Sequence, residues 1–161
     1  MTAADDLLLG EFVRTLDDRW RLSLPTELLD ALVAAGPELV LAKERAGCLS
    51  LWPASVWKPR LDASIDVLRG KLRAGLLAQR LPQVQDLGRL LSTRQRVVTL
   101  AGRGRLVVPE GFRAFLAVEA GTDLIVVGAG VCVELWQPAA WSAYVTAEMP
   151  DFRRRIDELT T

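Results

Sequence analysis

No histidine occurs anywhere in the 161 residues. That absence removes the commonest general base, the Ser–His and Cys–His nucleophile pairs and most transition-metal sites. Cysteine is scarce: Cys48 and Cys132 are the only two, and there is no CxxC. They supply neither a zinc site nor a disulfide framework, which suits a reducing compartment. Residues 1–10 carry Asp5 and Asp6, with no basic start and no long apolar run. Neither a signal peptide nor a membrane span is expected, and the expected location is cytoplasmic. Clustered carboxylates and a phosphate loop are missing as well. VVGAGVCV (126–133) opens like a dinucleotide-binding loop, but the third glycine position is Val133. A strand rather than a helix is expected to follow, so the segment reads as a hairpin turn. The chain is therefore read as no enzyme, with no catalytic residue, cofactor, metal or small-molecule substrate.

What the sequence does contain is a repeat. Shifting the chain by 84 residues aligns 13–57 with 97–141 without a gap, and 12 of the 45 positions are identical. The matches include Leu16/Leu100, Arg19/Arg103, Arg21/Arg105, Leu22/Leu106, Pro25/Pro109, Cys48/Cys132, Trp52/Trp136 and Trp57/Trp141. Two paired tryptophans and a paired proline in one register argue against coincidence. Two copies are too few for a solenoid. A single core is marginal below roughly 70–80 residues, so half-length units should share a core about a pseudo-twofold axis, exchange elements or oligomerise.

Each copy changes periodicity in the same order. Segments 11–16 and 95–100 read as strands, followed by a tight charged turn. RLSLP and RLVVP read as short alternating strands, with Pro25 and Pro109 suited to a first helical turn. Helices are expected over 26–35 and 110–118, then hairpins of 38–43 with 48–52 and of 122–127 with 131–136. Trp57 and Trp141 fall on short helices after the hairpins. The tryptophan pairs and both cysteines read as core or subunit packing. Between the copies, 61–92 reads as two helices broken near Pro82, and 150–161 as a short exposed helix. The fold class is α+β. The expected division is a first unit at 1–60, a helical linker at 61–92, a second unit at 93–148 and a helical tail at 149–161.

Charge is the other feature. The total is neutral, yet nine bases lie between Arg69 and Arg105 against Asp86 alone, a local net charge of +8. Such a stretch suits phosphates, although for 69–89 a solvated helix face in a chain that favours Arg over Lys is the preferred reading. The turn arginines are more telling, because both copies hold them at one offset. A turn between short strands projects its side chains off the sheet, and arginine presents a planar fork suited to guanine edges and phosphates. An aspartate heading the turn accepts from local N–H groups or pairs with an arginine, which holds that fork in place.

GEFVRTLDDRWRLSLP, CLSLWPASVW, GRGRLVVPEGFRAFL and VELWQPAAWSAY, with a helical spacer between the copies, resemble the MraZ family from about Gly10 to Glu148. These are bacterial transcriptional regulators of the division and cell-wall gene cluster, built as tandem AbrB/SpoVT swapped-hairpin domains. The resemblance implies two AbrB-like units sharing a barrel-like core. It also implies binding of double-stranded promoter DNA with short direct repeats, ring-shaped homo-oligomers and a nucleoid location. The family's Asp-x-x-x-Arg turn maps onto Asp17 and Arg21, with Arg19 at its usual basic position; in the second copy Gly104 and Arg105 match, and Arg103 adds a base. Arg14, in the strand entering the first turn, is grouped with these residues. Two positions depart from the pattern. Trp20 stands where glycine is usual, so the first turn is expected to change shape or to use Trp20 as an apolar contact. Ala101 stands where aspartate is usual, so Arg105 loses its brace. The alternative is an oligomeric structural or interaction protein of the same fold with lost or altered DNA binding.

Overall fold

The computed structural model describes residues 7–161. The chain runs β1 (Leu8–Thr15), β2 (Arg21–Ser23), α1 (Thr26–Val33), β3 (Glu38–Arg45), β4 (Cys48–Pro53), α2 (Ala54–Arg73), α3 (Leu81–Arg94), β5 (Gln95–Thr99), β6 (Arg105–Val107), α4 (Glu110–Leu116), β7 (Asp123–Gly130), β8 (Val133–Trp136), α5 (Pro138–Glu148) and α6 (Phe152–Thr160). Six strands form one sheet in the order β1-β7-β8-β4-β3-β5, and β2 pairs with β6 in a separate ribbon.

The two copies exchange their first strands. β1 lies against β7 of the second copy, and β5 lies against β3 of the first, all antiparallel. Neither copy can complete its half of the sheet alone, which meets the expectation of paired swapped-hairpin units around one core. The pseudo-twofold axis can be located from the pairing. In the ribbon Leu22 faces Leu106, and at the sheet centre Ser50 faces Glu134. Each pair joins residues related by the 84-residue shift, so the axis passes through both.

One face of the sheet and the inner face of the ribbon enclose a single core. Leu39, Leu41, Leu49, Leu51, Leu124, Val126, Val133 and Leu135 meet Leu22 and Leu106, with Leu28, Leu32, Phe112 and Leu116 from α1 and α4. A fully buried leucine is worth roughly 1.5–3 kcal/mol relative to exposure, so this shared cluster is the main bond between the copies. The opposite sheet face carries Cys48, Val127 and Trp136 under Trp141 and Tyr144 of α5. The indole pairs match across the axis, Trp52–Trp57 at 5.7 Å and Trp136–Trp141 at 5.3 Å. Both cysteines are buried and free, as read from the sequence. Burial raises both thiols, Cys132 to about 12, so neither is a ready nucleophile.

Several local expectations need correction. The repeat is not gapless. Val40 pairs with Trp52 and Val97, whereas Ile125 pairs with Trp136 and Val13. Val40 therefore corresponds to Ile125, an offset of 85 that reverts to 84 at Cys48/Cys132. The first hairpin absorbs its extra residue as a register shift between Lys43 and Arg45. The second copy has its extra residue between α4 and β7, where Ala117 is left-handed at φ 60°. Runs of consecutive apolar residues hide a one-residue slip that only strand pairing reveals. The linker breaks after Ala74, at Gly75 (φ 73°) and a 3₁₀ turn, and Pro82 sits in the first turn of α3. Trp57 lies on α2, which is 20 residues long and crosses the expected boundary at residue 60. Pro25 and Pro109 occupy the N-cap, with extended ψ of 135° and 150°, one residue before the helices. VVGAGVCV is the β7–β8 hairpin.

The exchanged strand depends on a close approach. Gly10 faces Gly128 across β1 and β7. A Cβ at Gly128 would lie 2.5 Å from the carbonyl carbon of Leu8, a backbone atom that cannot swing aside. Gly128→Ala is therefore expected to cost about 2–3 kcal/mol, read as a lowered Tm in thermal unfolding with Trp emission as the probe. An unchanged Tm would show that β1 is not held at this point.

Candidate nucleic-acid interface

The β2–β6 ribbon places both arginine turns. Leu22 and Leu106 are buried, so the period-two alternation sends their neighbours Arg21, Ser23, Arg105 and Val107 to the outer face. Arg21 pairs with Val107 and Arg105 with Ser23. Arg21 and Arg105 are thus diagonal neighbours on one outward face, with roughly 7–8 Å between their backbones. They are neither tucked inward nor on opposite sides. Two hydrogen bonds extend the ribbon symmetrically: Val108 N–H donates to the Trp20 carbonyl at 2.8 Å, and Leu24 N–H to the Gly104 carbonyl at 3.0 Å.

The first turn is organised by Asp17. Its Oδ1 accepts from the backbone N–H groups of Arg19 (2.8 Å) and Arg21 (2.9 Å), and its Oδ2 from Nε of Arg21 (2.8 Å). The Arg21 N–H is the largest influence holding the Asp17 carboxyl below the usual range, supplemented by the Arg21 guanidinium. Arg19 projects from the tip, exposed. Trp20 keeps the left-handed backbone at φ 63°, close to the 67° of Gly104. The two turns still differ in shape, because in the first only Trp20 is left-handed, and in the second both Arg103 and Gly104 are. A non-glycine residue in Trp20's place costs roughly 1–2 kcal/mol, offset by packing of the half-buried indole on the core and under Arg113, whose guanidinium is 4.7 Å from the ring centre.

In the second turn Ala101 provides no carboxylate. The Arg105 N–H turns to the Ala101 carbonyl at 3.3 Å, while Ala101 N–H donates to the Arg105 carbonyl at 2.8 Å. Arg103 and Gly104 are both left-handed, and a Cβ on Gly104 would meet Leu29 at 2.7 Å. The guanidinium of Arg105 is held only by a 3.3 Å bond from Nε to the Gly102 carbonyl. The two forks therefore share a face but differ in restraint.

Arg14 does not join them. Its guanidinium folds back over the Phe12 ring at 5.7 Å and donates to the Val13 carbonyl, away from the turn. Sequence reasoning overlooked Ser23 and the exposed Val107, which lie between the arginines; strict alternation about Leu22 and Leu106 was the signal for them. It also overlooked Arg113, which supports the turns through Trp20 and the Val108 carbonyl.

Comparison with known proteins agrees with this architecture. A family model for the MraZ protein, antitoxin-like, matches residues 94–158. A protein of Treponema pallidum (strain Nichols), named transcriptional regulator MraZ, is 31% identical over 155 residues, covering 96% of this chain and 95% of its own. The chain belongs to the MraZ family. A MraZ of Thermomicrobium roseum is 28% identical over 156 residues, covering 95% of this chain and 99% of its own. Another, from Nitrosospira multiformis, is 30% identical over 129 residues, 80% of either chain. The Treponema and Thermomicrobium relatives cover 95% or more of this chain, so the MraZ likeness extends beyond the second copy that the family model matches. No helix among the described residues is long and apolar enough to cross a membrane.

The depressed Asp17 carboxyl carries a pH consequence. A carboxylate whose folded pKa lies below its unfolded value stabilises the fold above the unfolded value and loses that effect as pH falls through the folded one. Asp17→Ala is thus expected to lower Tm at neutral pH, and the gap to the natural protein to close in acid, below the ordinary aspartate range. Thermal melts across pH 3–7, spanning that range, give the comparison; a gap independent of pH would remove the carboxylate from the turn's stability.

Proposed function

We propose that this MraZ protein is a sequence-specific, DNA-binding transcription regulator whose β2–β6 ribbon enters a groove of promoter DNA. One observation carries the reading: two arginines, brought from opposite halves of the chain, point outward from one face of a twofold ribbon. A two-stranded ribbon fits the major groove, and an arginine fork reads O6 and N7 of guanine. Arg21 and Arg105 are the base-reading pair. Arg19 and Arg103, exposed at the turn tips, contact phosphates, and Asp17 positions Arg21. Arg14 has no contact role in this arrangement. The name shared by the relatives, transcriptional regulator, supports the same function.

The target expected from the family resemblance is the promoter of the division and cell-wall gene cluster, with short direct repeats. Ring-shaped homo-oligomers would set several ribbons against successive repeats and associate with the nucleoid. A ring seated over a promoter excludes polymerase, so repression follows without any chemistry by the protein.

Titration of the gene's own upstream DNA at two salt concentrations tests the proposal. Repeated boxes should bind more tightly than scrambled ones, and affinity should fall with salt as counterions are released. Arg21→Ala and Arg105→Ala are each expected to cost about 1–3 kcal/mol and relax sequence preference, whereas Arg19→Ala and Arg103→Ala weaken all sequences alike. Equal small effects from all four would reject this division. Binding that ignores salt and sequence would reject the function.

The unbraced second turn generates a separate expectation. Ala101→Asp supplies the missing acceptor for the Arg105 N–H and guanidinium, and is expected to tighten promoter binding by up to about tenfold through pre-organisation. The measurement is the same titration. Binding that emerges only in this variant would identify the natural chain as a ring protein that has lost its DNA contact.

A further inference from the structure

The outer face of the β2–β6 ribbon holds four side chains, and the proposed function employs only the two arginines. Arg21 stands directly opposite Val107, and Arg105 directly opposite Ser23. The arginines occupy one diagonal, Ser23 and Val107 the other. The 84-residue shift that relates the arginines also relates Ser23 to Val107. The pseudo-twofold axis thus keeps charge equal on its two sides and breaks the match at this second pair, a hydroxyl against an isopropyl group. Val107 is 47% exposed, and Ser23 is exposed too. The ribbon's share of the core is carried by Leu22, Leu24, Leu106 and Val108. Packing therefore does not require an apolar residue at Val107, which is an apolar group set in a basic, water-facing surface.

The chemistry of the groove identifies what such a valine fits. Thymine carries a 5-methyl group that stands out from the base edge into the major groove, and apolar side chains recognise it by contact. A valine side chain neither donates nor accepts, so against any other base edge it covers polar atoms without replacing their bonds to water. Serine does both and accommodates any base. Spacing agrees with this reading. Residues directly opposite in a ribbon are roughly 4.5–5.5 Å apart, and stacked base pairs about 3.4 Å, so Val107 falls roughly one or two base-pair steps from the guanine that Arg21 reads. The first fork is also the firmer one. Asp17 holds Nε of Arg21 at 2.8 Å, so the fork and the isopropyl group beside it present a fixed pair of contacts.

We infer that Val107 reads the 5-methyl group of a thymine next to the guanine held by Arg21, while Ser23 makes no such demand next to the guanine held by Arg105. The inference rests on the DNA reading proposed above and deepens it by naming a second base and the residue that selects it. It also gives the ribbon a direction. The arginine pair alone reads the same two bases after a half-turn about the pseudo-twofold axis, so it would seat either way round. A thymine methyl on one side favours one orientation and fixes which half of the chain faces which end of the box.

The test is titration of the full chain against upstream duplexes in which each thymine in turn is replaced by deoxyuridine, which removes the methyl group and nothing else. A single thymine in the box should be sensitive, by about three- to fivefold in affinity, the worth of one buried methyl group. It should adjoin the guanine whose preference is lost in Arg21→Ala, and not the one lost in Arg105→Ala. Val107→Ser should bind the thymine box as weakly as the natural chain binds the uracil box, and should bind both boxes alike. On a duplex with thymine placed beside the Arg105 guanine, Ser23→Val should gain a sensitivity of the same size. Sequence-specific binding with no sensitive thymine overturns the inference and leaves the proposed function standing. A Val107→Ser chain weaker than the natural chain on the uracil box also overturns it, since the valine would then support the ribbon rather than read a base. So does a Ser23→Val chain that gains no sensitivity. Absence of sequence-specific, salt-dependent binding sinks both, and comparison with scrambled boxes reveals that outcome separately.

Discussion

The pairing of Leu22 with Leu106 is the constraint from which the candidate interface follows. These two side chains lie on the pseudo-twofold axis, inside the core, and both are inaccessible to water. In a strand the next residue must point the other way. Burying the two leucines therefore turns Arg21 and Arg105 outward on a common face. The same axis passes through Ser50 and Glu134 at the centre of the large sheet. There Glu134 accepts from the Trp136 indole at 3.0 Å as Ser50 accepts from the Trp52 indole at 2.9 Å. The copies differ beyond that bond: desolvation raises the Glu134 carboxyl above the usual range, while Ser50 also donates to Glu44 at 2.8 Å. Symmetry is kept where the core needs it and relaxed where a polar group can find its own partner.

The turns show a second relaxation. The first has a carboxylate brace and a tryptophan in a left-handed position; the second has glycine in that position and no brace. Each lacks what the other keeps, yet the backbone ladder on either side is the same. Trp20 is tolerated because its ring gains contacts with the core and Arg113, while at Gly104 the space a Cβ would need is filled by Leu29. The pair is thus one ribbon with two differently restrained forks.

Most of the element order was legible because the chain states it twice. Where one copy was ambiguous the other supplied the same pattern, and paired tryptophans and prolines held the register. The long apolar stretches were less informative. LVLA in β3 and LIVV in β7 offer no alternation, since both faces of the sheet are covered there. The shift from 84 to 85 was invisible for that reason. The linker break was misplaced at Pro82 because proline is a stronger visible signal than Gly75, although proline in a first helical turn begins a helix rather than ending one. In the site, the Asp17–Arg21 bond has the form expected of an aspartate heading the turn and of the family's Asp-x-x-x-Arg pattern. For Arg14, three residues before Asp17, nothing local reveals that its guanidinium turns back toward Phe12.

The sequence by itself determined the duplicated unit, the inward leucines of the ribbon, and the charged turns beside them, because these depend on periodicity and local hydrogen bonding. Only the tertiary structure decided that first strands are exchanged between copies and that Arg21 and Arg105 become neighbours. Those outcomes rest on pairing between residues about 84 positions apart, and no local preference encodes which distant strand edge a segment will join.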